Sequence, residues 1–215
     1  MKTAILGPTA EAQLAAASAS IVLASASSAR AALLRAAGIP ILVDAAAIDE
    51  AEVKASLRAA GAGAAAVAET LAELKAQRVA RRHAGSLVIG ADQVLECDSV
   101  LFDKPLEPAA ARAQLLALRG RRHRLVSAVV LVRDGGRIWH HVDRAELTMR
   151  EFSTGFLDRY LDAAGEAALS SVGAYQLEGV GAQLFAAVDG DYFTILGLPL
   201  LPLLDILREQ GVLLP

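Results

Sequence analysis

Cysteine is almost absent from this sequence. Cys97 is the only one in 215 residues, which rules out an intrachain disulfide and a metal site built from several cysteines. A chain that uses cysteine so sparingly fits a reducing compartment. We therefore expect a cytoplasmic protein.

Long apolar runs are also missing. The most apolar segment, 195–207, is interrupted by Pro199, Pro202 and Asp205. It falls well short of the roughly 20 residues that a membrane span needs. We predict a buried C-terminal helix in this segment, and no membrane partner.

The first twenty residues lack the uninterrupted apolar core of a secretory signal. Their small residues imitate one loosely, but Gly7, Pro8 and Glu11 break the pattern. We predict that residues 1–20 form an N-terminal extension. Residues 21–215 are predicted to form a single domain, because no repeat, linker or composition shift divides them.

No basic tract is long enough to follow a nucleic-acid backbone. The formal net charge is -3, and the two arginine-rich segments, 81–83 and 119–124, are short and separate. A nucleic-acid polymer is therefore not expected as a partner. The first strand leads into serines rather than a GxGxxG turn, which also argues against a dinucleotide-binding oxidoreductase.

Lysine is scarce as well. The chain has four lysines, Lys2, Lys54, Lys75 and Lys104, against 17 arginines. Because arginine is the usual surface cation here, a position that keeps the compact ammonium of lysine is a candidate for a specific role. Lys75 stands beside the apolar stripe of a predicted helix, 67–82, from which it can reach inward, although most helix lysines face water.

The sequence does contain an alternation of β-like and helical segments. Aliphatic and β-branched runs predict strands, and apolar residues at helical spacing next to capping residues predict helices. This order indicates an α/β fold. The predicted strands are 21–23, 41–48, 87–89, 100–102, 125–132, 138–142 and 183–188, and the predicted helices are 29–37, one ending near 60, 67–82, 108–118, 153–164 and 199–210.

The segment 87–105 holds an acid and a cation at what look like strand ends. Asp92 is predicted to lie at or near the end of a buried strand, where a rigid scaffold can hold a carboxylate against a ligand. Lys104 closes the next β-like run. Together they offer an anion for a divalent metal or a water, and a cation for phosphate. Asp92 alone also fits an ordinary turn residue.

Small hydroxylated residues separate the first strand from the first helix. Ser25 and Ser27 lie where exposed backbone N–H groups suit a phosphate, and Arg30 adds a planar fork of donors in the first helical turn. The simpler alternative is that Ser27 or Ser28 only caps the helix.

Two further carboxylates are candidates for a site. Glu50, after Asp49, is a possible metal ligand, although acids at a helix start are also explained by the helix dipole. Glu178 lies in a glycine-punctuated passage, 173–181, where backbone can approach a planar ligand closely. An ionised carboxylate there can accept two parallel hydrogen bonds from a guanine-type edge.

Taken together, these segments resemble the Maf-like nucleoside triphosphate pyrophosphatases from residue 21 to about 212. Each motif is weak alone, and their common order is specific. The matches are 23–30 for the LASxSPRR loop, 49–50 for DE, 75–76 for KA, 90–93 for GAD-T/Q, 104–105 for KP, 120–123 for GxxH, 173–179 for the glycine-rich passage, 190–192 for GDY and 197–199 for GLP.

The resemblance implies an elongated, mixed and twisted β-sheet with flanking helices and two lobes around a central cleft. It also implies a homodimer that hydrolyses nucleoside triphosphates to monophosphate and pyrophosphate with a divalent metal cation, Mg²⁺ or Mn²⁺, and a link to removal of modified nucleotides and to arrest of cell division. In this hypothesis Glu50 and Asp92 hold the metal, and Asp92 is also catalytic. The substrate is bound by Ser25, Ser27, Arg30, Lys75, Gln93, Lys104 and Glu178.

The opening loop departs from the family pattern. Ser28 and Ala29 stand where the family carries Pro and then Arg or Trp. At the positions linked to base choice the chain has Ala29, Gln93 and Glu178. The last two favour a guanine-like or modified purine, whereas the missing aromatic removes a stacking partner for a cationic base. A nucleotide-responsive regulator of division, which binds without turnover, is the alternative function.

Overall fold

The structure is a computed structural model, and it describes residues 20–214. The predicted N-terminal extension therefore lies outside the described residues, except for Ser20. Among the described residues, no helix is both long enough and apolar enough to cross a membrane.

A seven-stranded mixed sheet forms the centre of the fold, which confirms the predicted α/β class. The strand order is β2-β1-β3-β5-β6-β7, with β4 beside β3. Strand β1 is parallel to β2 and β3, and the other pairs are antiparallel. The strands are Ile21–Leu23 (β1), Ile41–Val43 (β2), Leu87–Cys97 (β3), Val100–Phe102 (β4), Arg122–Arg133 (β5), Gly136–Met149 (β6) and Phe185–Asp189 (β7).

Seven α-helices flank this sheet in the described part of the chain. Their caps follow the sequence signals: Ser153 accepts a hydrogen bond from Phe156, and Asp49 accepts one from Glu52. The helices are Ser28–Ala36 (α1), Glu50–Ala59 (α2), Ala64–Ala80 (α3), Pro108–Leu118 (α4), Thr154–Ala164 (α5), Tyr192–Ile195 (α6) and Leu200–Glu209 (α7).

The strand predicted over 41–48 was wrong in its length. Strand β2 ends at Val43, and the carboxylate of Asp44 binds Arg82 and His83 beyond the end of α3. Because these ion pairs hold the chain at Asp44, it leaves the edge of the sheet before the apolar residues that follow.

Two apolar layers cover the opposite faces of the central strands. Val88 and Val130 pack with α3 on one face, while Ile89 and Leu131 pack with α1 and α7 on the other. This alternation is the period of two that a strand imposes on its side chains. A third cluster, around Leu95 and helices α4 and α5, fills the far end of the molecule.

Asp92 was predicted at or near a strand end, and that was wrong. It lies inside β3, opposite Ala128 of β5, and the strand continues to Cys97. The preceding Gly90 does not end the strand. It allows α3 to cross it closely, since a Cβ at Gly90 would overlap the carbonyl oxygen of Ala72.

This close crossing gives a first prediction. Gly90→Ala should lower the free energy of unfolding by about 2 kcal/mol, because the added methyl forces α3 away from β3 in a close-packed core. Urea denaturation measures the loss. Gly63→Ala is a control, since a Cβ at Gly63 meets nothing within 4 Å. Equal stability of the Gly90 variant and wild type would contradict this packing.

Candidate active site

The site lies at a gap in the sheet. Strand β1 ends opposite Ile89 of β3, and the antiparallel β4 pairs with β3 only from Leu95 onward, so the stretch 90–94 of β3 has no strand partner on that edge. The loop after β1 and the segment after β4 both run into this gap. Side chains from both faces of β3 therefore reach the same space, which explains how the neighbours Asp92 and Gln93 line one cleft.

The cleft has a volume of about 850 Å³ and is lined by every site residue predicted from the sequence. Six segments of the chain meet there: the first loop with the start of α1, α2, α3, the middle of β3, the segment after β4 and the glycine-rich passage. The residues brought together are Ser25, Ser27, Arg30, Glu50, Lys75, Asp92, Gln93, Lys104 and Glu178.

A carboxylate pair shares one ammonium at the bottom of the cleft. Lys75 Nζ lies 2.6 Å from Asp92 Oδ1 and 2.8 Å from Glu50 Oε1. Lys75 and Asp92 are buried, whereas the Glu50 side chain is 43 % exposed. The inward direction predicted for Lys75 is therefore confirmed. Partial burial alone would raise the pKa of Glu50, but the hydrogen bond and charge of Lys75 outweigh it and hold that pKa below its ordinary value.

The other oxygen of Asp92 has no such partner. Asp92 is 5 % exposed, and its Oδ2 makes no hydrogen bond with any described residue. A buried carboxylate oxygen without a partner is costly, and it is often accounted for by a bound water, ion or ligand group. One oxygen of Asp92 is thus fixed by Lys75, and the other is available for chemistry.

Arg30 joins the first loop to the turn after α6. Its Nε donates to the carbonyl of Gly197 at 2.7 Å, and its Nη1 donates to Ser25 Oγ at 3.0 Å. Gly197 has φ +94°, a conformation that favours glycine. Burial lowers the pKa of Arg30, and the charges of Asp92 and Glu50 oppose that shift. Arg30 therefore presents a rigidly held guanidinium to the cleft.

The serines play both of the roles considered for them. Ser27 Oγ caps α1 by accepting from the Arg30 N–H, so the capping alternative holds for Ser27. Ser25 Oγ accepts from the Ser27 N–H and from Arg30. Both serines also line the cleft at the N-terminus of α1, where helix N–H groups favour an anion.

Gln93 is fixed by a buried polar network. Its Nε2 donates to Ser127 Oγ and to the carbonyls of Thr194 and Ile195, each at 3.0 Å. Ser127 Oγ donates in turn to the Thr194 carbonyl. Because carbonyl oxygens need a donor, the amide nitrogen must face this network. No described residue donates to Oε1 of Gln93, which leaves an acceptor at the cleft.

The opposite wall carries Glu178 and, deeper, an aromatic layer. Glu178 is exposed, and Tyr175 is buried with its hydroxyl 2.8 Å from Nε2 of His123. His123, the histidine of the GxxH match, does not line this cleft. It lies behind Tyr175 and supports the wall instead.

The buried His123 makes stability depend on pH. Burial lowers its pKa from 6.5 to about 4, so the unfolded chain binds a proton more readily between these values. Stability from this group is complete above pH 6.5 and is lost as pH falls toward 4, by about 3 kcal/mol in total. Urea unfolding across this range should show a steeper pH slope in wild type than in His123→Phe. Equal slopes would contradict the burial of a neutral imidazole.

The sequence of the chain matches a known protein family. The sequence model of a family described as "Maf-like protein" matches residues 20–210. The chain belongs to this Maf-like family.

Relatives of this Maf-like chain span almost its whole described length. A "Nucleoside triphosphate pyrophosphatase" of Paramagnetospirillum magneticum is 64% identical over 194 residues, which cover 90% of this chain and 100% of the relative. A protein of the same name from Granulibacter bethesdensis is 54% identical and covers 90% of this chain and 98% of its own. A "7-methyl-GTP pyrophosphatase" of Brucella abortus is 52% identical, covering 88% and 96%.

The site of this Maf-like chain also contains residues that the sequence analysis did not assign. Lys54, Arg58 and Asp103 line the cleft, and Asp103 forms an ion pair with each of the two cations. One signal was available, since Lys54 is among the four lysines and stands one helical turn after Glu50. No sequence feature marked Asp103, because its role depends on contacts with α2.

Proposed function

We propose that the protein hydrolyses nucleoside triphosphates to the monophosphate and pyrophosphate. One observation carries this proposal. Glu50 and Asp92 both form an ion pair with Lys75, and Arg30 and Lys104 line the same cleft. Acids beside a basic wall suit a metal-assisted attack on a polyphosphate. The names of the relatives support the same activity.

The triphosphate would lie along the cationic side of the cleft. Arg30 and Lys75 are buried and fixed by hydrogen bonds, so their charges are oriented before the substrate arrives. Lys104 is exposed at the mouth of the cleft. Its pKa is lowered mainly by partial desolvation and secondly by the positive charge of Arg30. Preorganised cations of this kind stabilise the charge of the transition state and of the leaving pyrophosphate.

Glu50 and Asp92 fit a divalent cation that binds together with the nucleotide. The described residues contain no group of three or more His, Cys, Asp or Glu side chains that could hold a metal alone. Mg²⁺ is commonly bound by one or two carboxylates together with substrate phosphates, and Mn²⁺ suits the same oxygen ligands. The unpartnered Oδ2 of Asp92 and the half-exposed Glu50 supply such oxygens. When bound, the metal would neutralise phosphate charge and align the substrate.

Asp92 would activate the attacking water. Lys75 holds its Oδ1, so the orientation of the carboxylate is fixed. Its Oδ2 can then accept the proton of a water within hydrogen-bond reach. The water oxygen bonds to the α-phosphorus, and the bond from that phosphorus to the α,β-bridging oxygen breaks. Pyrophosphate leaves with the bridging oxygen, beside the cleft cations.

A guanine-type base, canonical or modified, fits the acceptors of the cleft. Gln93 offers Oε1 because its amide nitrogen is engaged, and Glu178 offers a carboxylate on the other wall. Guanine presents adjacent N–H donors on its Watson–Crick edge, and such an edge needs acceptors. The name of the Brucella abortus relative supports a modified guanine among the substrates.

Two further expectations accompany this activity. We propose a cytoplasmic homodimer, on the resemblance to the family and on the single cysteine, which is buried and free. Size-exclusion chromatography with light scattering tests the dimer, and a monomer at micromolar concentration would refute it.

A product panel tests the proposed reaction. Purified protein is incubated with canonical and methylated nucleoside triphosphates and Mg²⁺ or Mn²⁺, and the products are separated by ion-exchange chromatography. Monophosphate with pyrophosphate supports the proposal. Diphosphate with orthophosphate would mean cleavage of another bond, and binding without products would favour the division regulator. EDTA should abolish turnover.

A further inference from the structure

Asp103 forms a junction between three parts of the fold. Its Oδ1 lies 2.7 Å from Lys54 Nζ, and its Oδ2 lies 3.2 Å from Arg58 Nη2, both on α2. Its backbone carbonyl accepts from Gln114 Nε2 of α4 at 2.8 Å. Both the side chain and the backbone of Asp103 are therefore fixed.

The junction connects two functional groups of the cleft. Lys54 follows Glu50 by one helical turn on α2, and Lys104 is the residue after Asp103. Partial burial would raise the pKa of Asp103, but the hydrogen bond and charge of Lys54 outweigh it and hold that pKa below its ordinary value. Asp103 is thus an anion at neutral pH, and it ties the helix of Glu50 to the segment of Lys104.

Polar contacts do not fix Lys104. It makes no hydrogen bond and no ion pair with any residue in the range 20–214, although the Pro105 that follows it is buried. Its segment, after β4, has no regular secondary structure before α4 begins. Asp103, the residue before Lys104, is therefore the neighbouring residue through which polar contacts can position it.

We propose that Asp103, held by Lys54 and Arg58, is a positioning residue for Lys104. This inference rests on the proposed function, in which Lys104 receives substrate phosphate. The junction holds the ammonium of Lys104 at the mouth of the cleft, so that less conformational freedom is lost when the triphosphate binds. Asp103 itself does not touch the substrate.

A double-mutant cycle separates this role from a purely structural one. Asp103→Ala should raise KM for the triphosphate about tenfold and change kcat less than about threefold, since it weakens ground-state binding. In a Lys104→Met background the same substitution should change KM by less than about twofold, because two residues that act through one interaction are not additive.

One control variant and one replacement variant accompany this cycle. Asp158 forms an exposed ion pair with Arg112 outside the cleft, so Asp158→Ala should leave KM unchanged. An equal effect of Asp103→Ala with and without Lys104 would overturn the proposal. Should Asp103→Ala fail to fold, the Lys54→Met/Arg58→Met variant removes the same anchor from α2, and the same cycle applies.

If wild type releases no product from any nucleotide, the enzymatic proposal fails. The cycle is then measured as the Kd of an α,β-methylene triphosphate by titration calorimetry. A Kd raised about tenfold by Asp103→Ala only when Lys104 is present supports the anchor, because the coupling is a property of binding. Additive Kd changes would overturn it.

Discussion

Asp92→Asn is expected to lower kcat about a thousandfold, within the range that a positioned general base contributes. The amide has the same shape and can still accept a hydrogen bond from Lys75, but its nitrogen cannot take a proton from water. The substitution also removes one of the two carboxylates proposed to hold the metal. KM should change much less, because Arg30 and Lys104 remain.

Asp44→Asn is the matched control for this loss. Asp44 is also bound by cationic side chains, Arg82 and His83, but it does not line the cleft. Steady-state pyrophosphate release should be near normal in this variant. Turnover of Asp92→Asn within threefold of wild type would remove Asp92 from the mechanism.

Lys75→Met is expected to destabilise the protein by about 3–5 kcal/mol in the absence of metal, the range for removing one partner of a buried ion pair. The methionine leaves the charge of buried Asp92 without its hydrogen-bonded cation, and it also frees Glu50. The charge of Arg30 acts on Asp92 but compensates only in part, since its Nε and Nη1 are engaged with Gly197 and Ser25. Urea unfolding in EDTA measures the loss.

A second substitution separates charge from packing in this result. Lys75→Met/Asp92→Asn should be about 2 kcal/mol more stable than Lys75→Met alone, because the unpaired charge is gone. Arg78, exposed on the same helix, provides the control, and Arg78→Met should cost less than about 0.5 kcal/mol. A double variant no more stable than Lys75→Met would show that the ammonium acts through packing.

The sequence was most informative where composition and local chemistry agreed. Lys75 was a candidate for a specific role because lysine is rare in this chain. In the structure it forms ion pairs with Glu50 and Asp92, the two acids that the motifs had indicated. The side chains of Ser153 and Asp49 cap their helices by accepting hydrogen bonds from backbone N–H groups of the first turn. These features depend on neighbours in the chain, which sequence reasoning can inspect directly.

The errors came from contacts between distant segments. The strand predicted over 87–89 was too short. Strand β3 continues past Gly90 because β5 pairs with it on one edge and α3 packs on the bare backbone of Gly90. The strand over 41–48 was predicted too long because the ion pairs of Asp44 with the end of α3 are not visible in local periodicity. The gap between β1 and β4 follows from strand register, which no local pattern encodes.

In the proposed reaction, water attacks the α-phosphorus in the cleft of Asp92 and Lys75. Hydrolysis of a nucleoside triphosphate in ¹⁸O-water, followed by mass spectrometry of both products, identifies the phosphorus atom that is attacked. We expect one ¹⁸O atom in the monophosphate and none in the pyrophosphate. Label in pyrophosphate or in orthophosphate would contradict it.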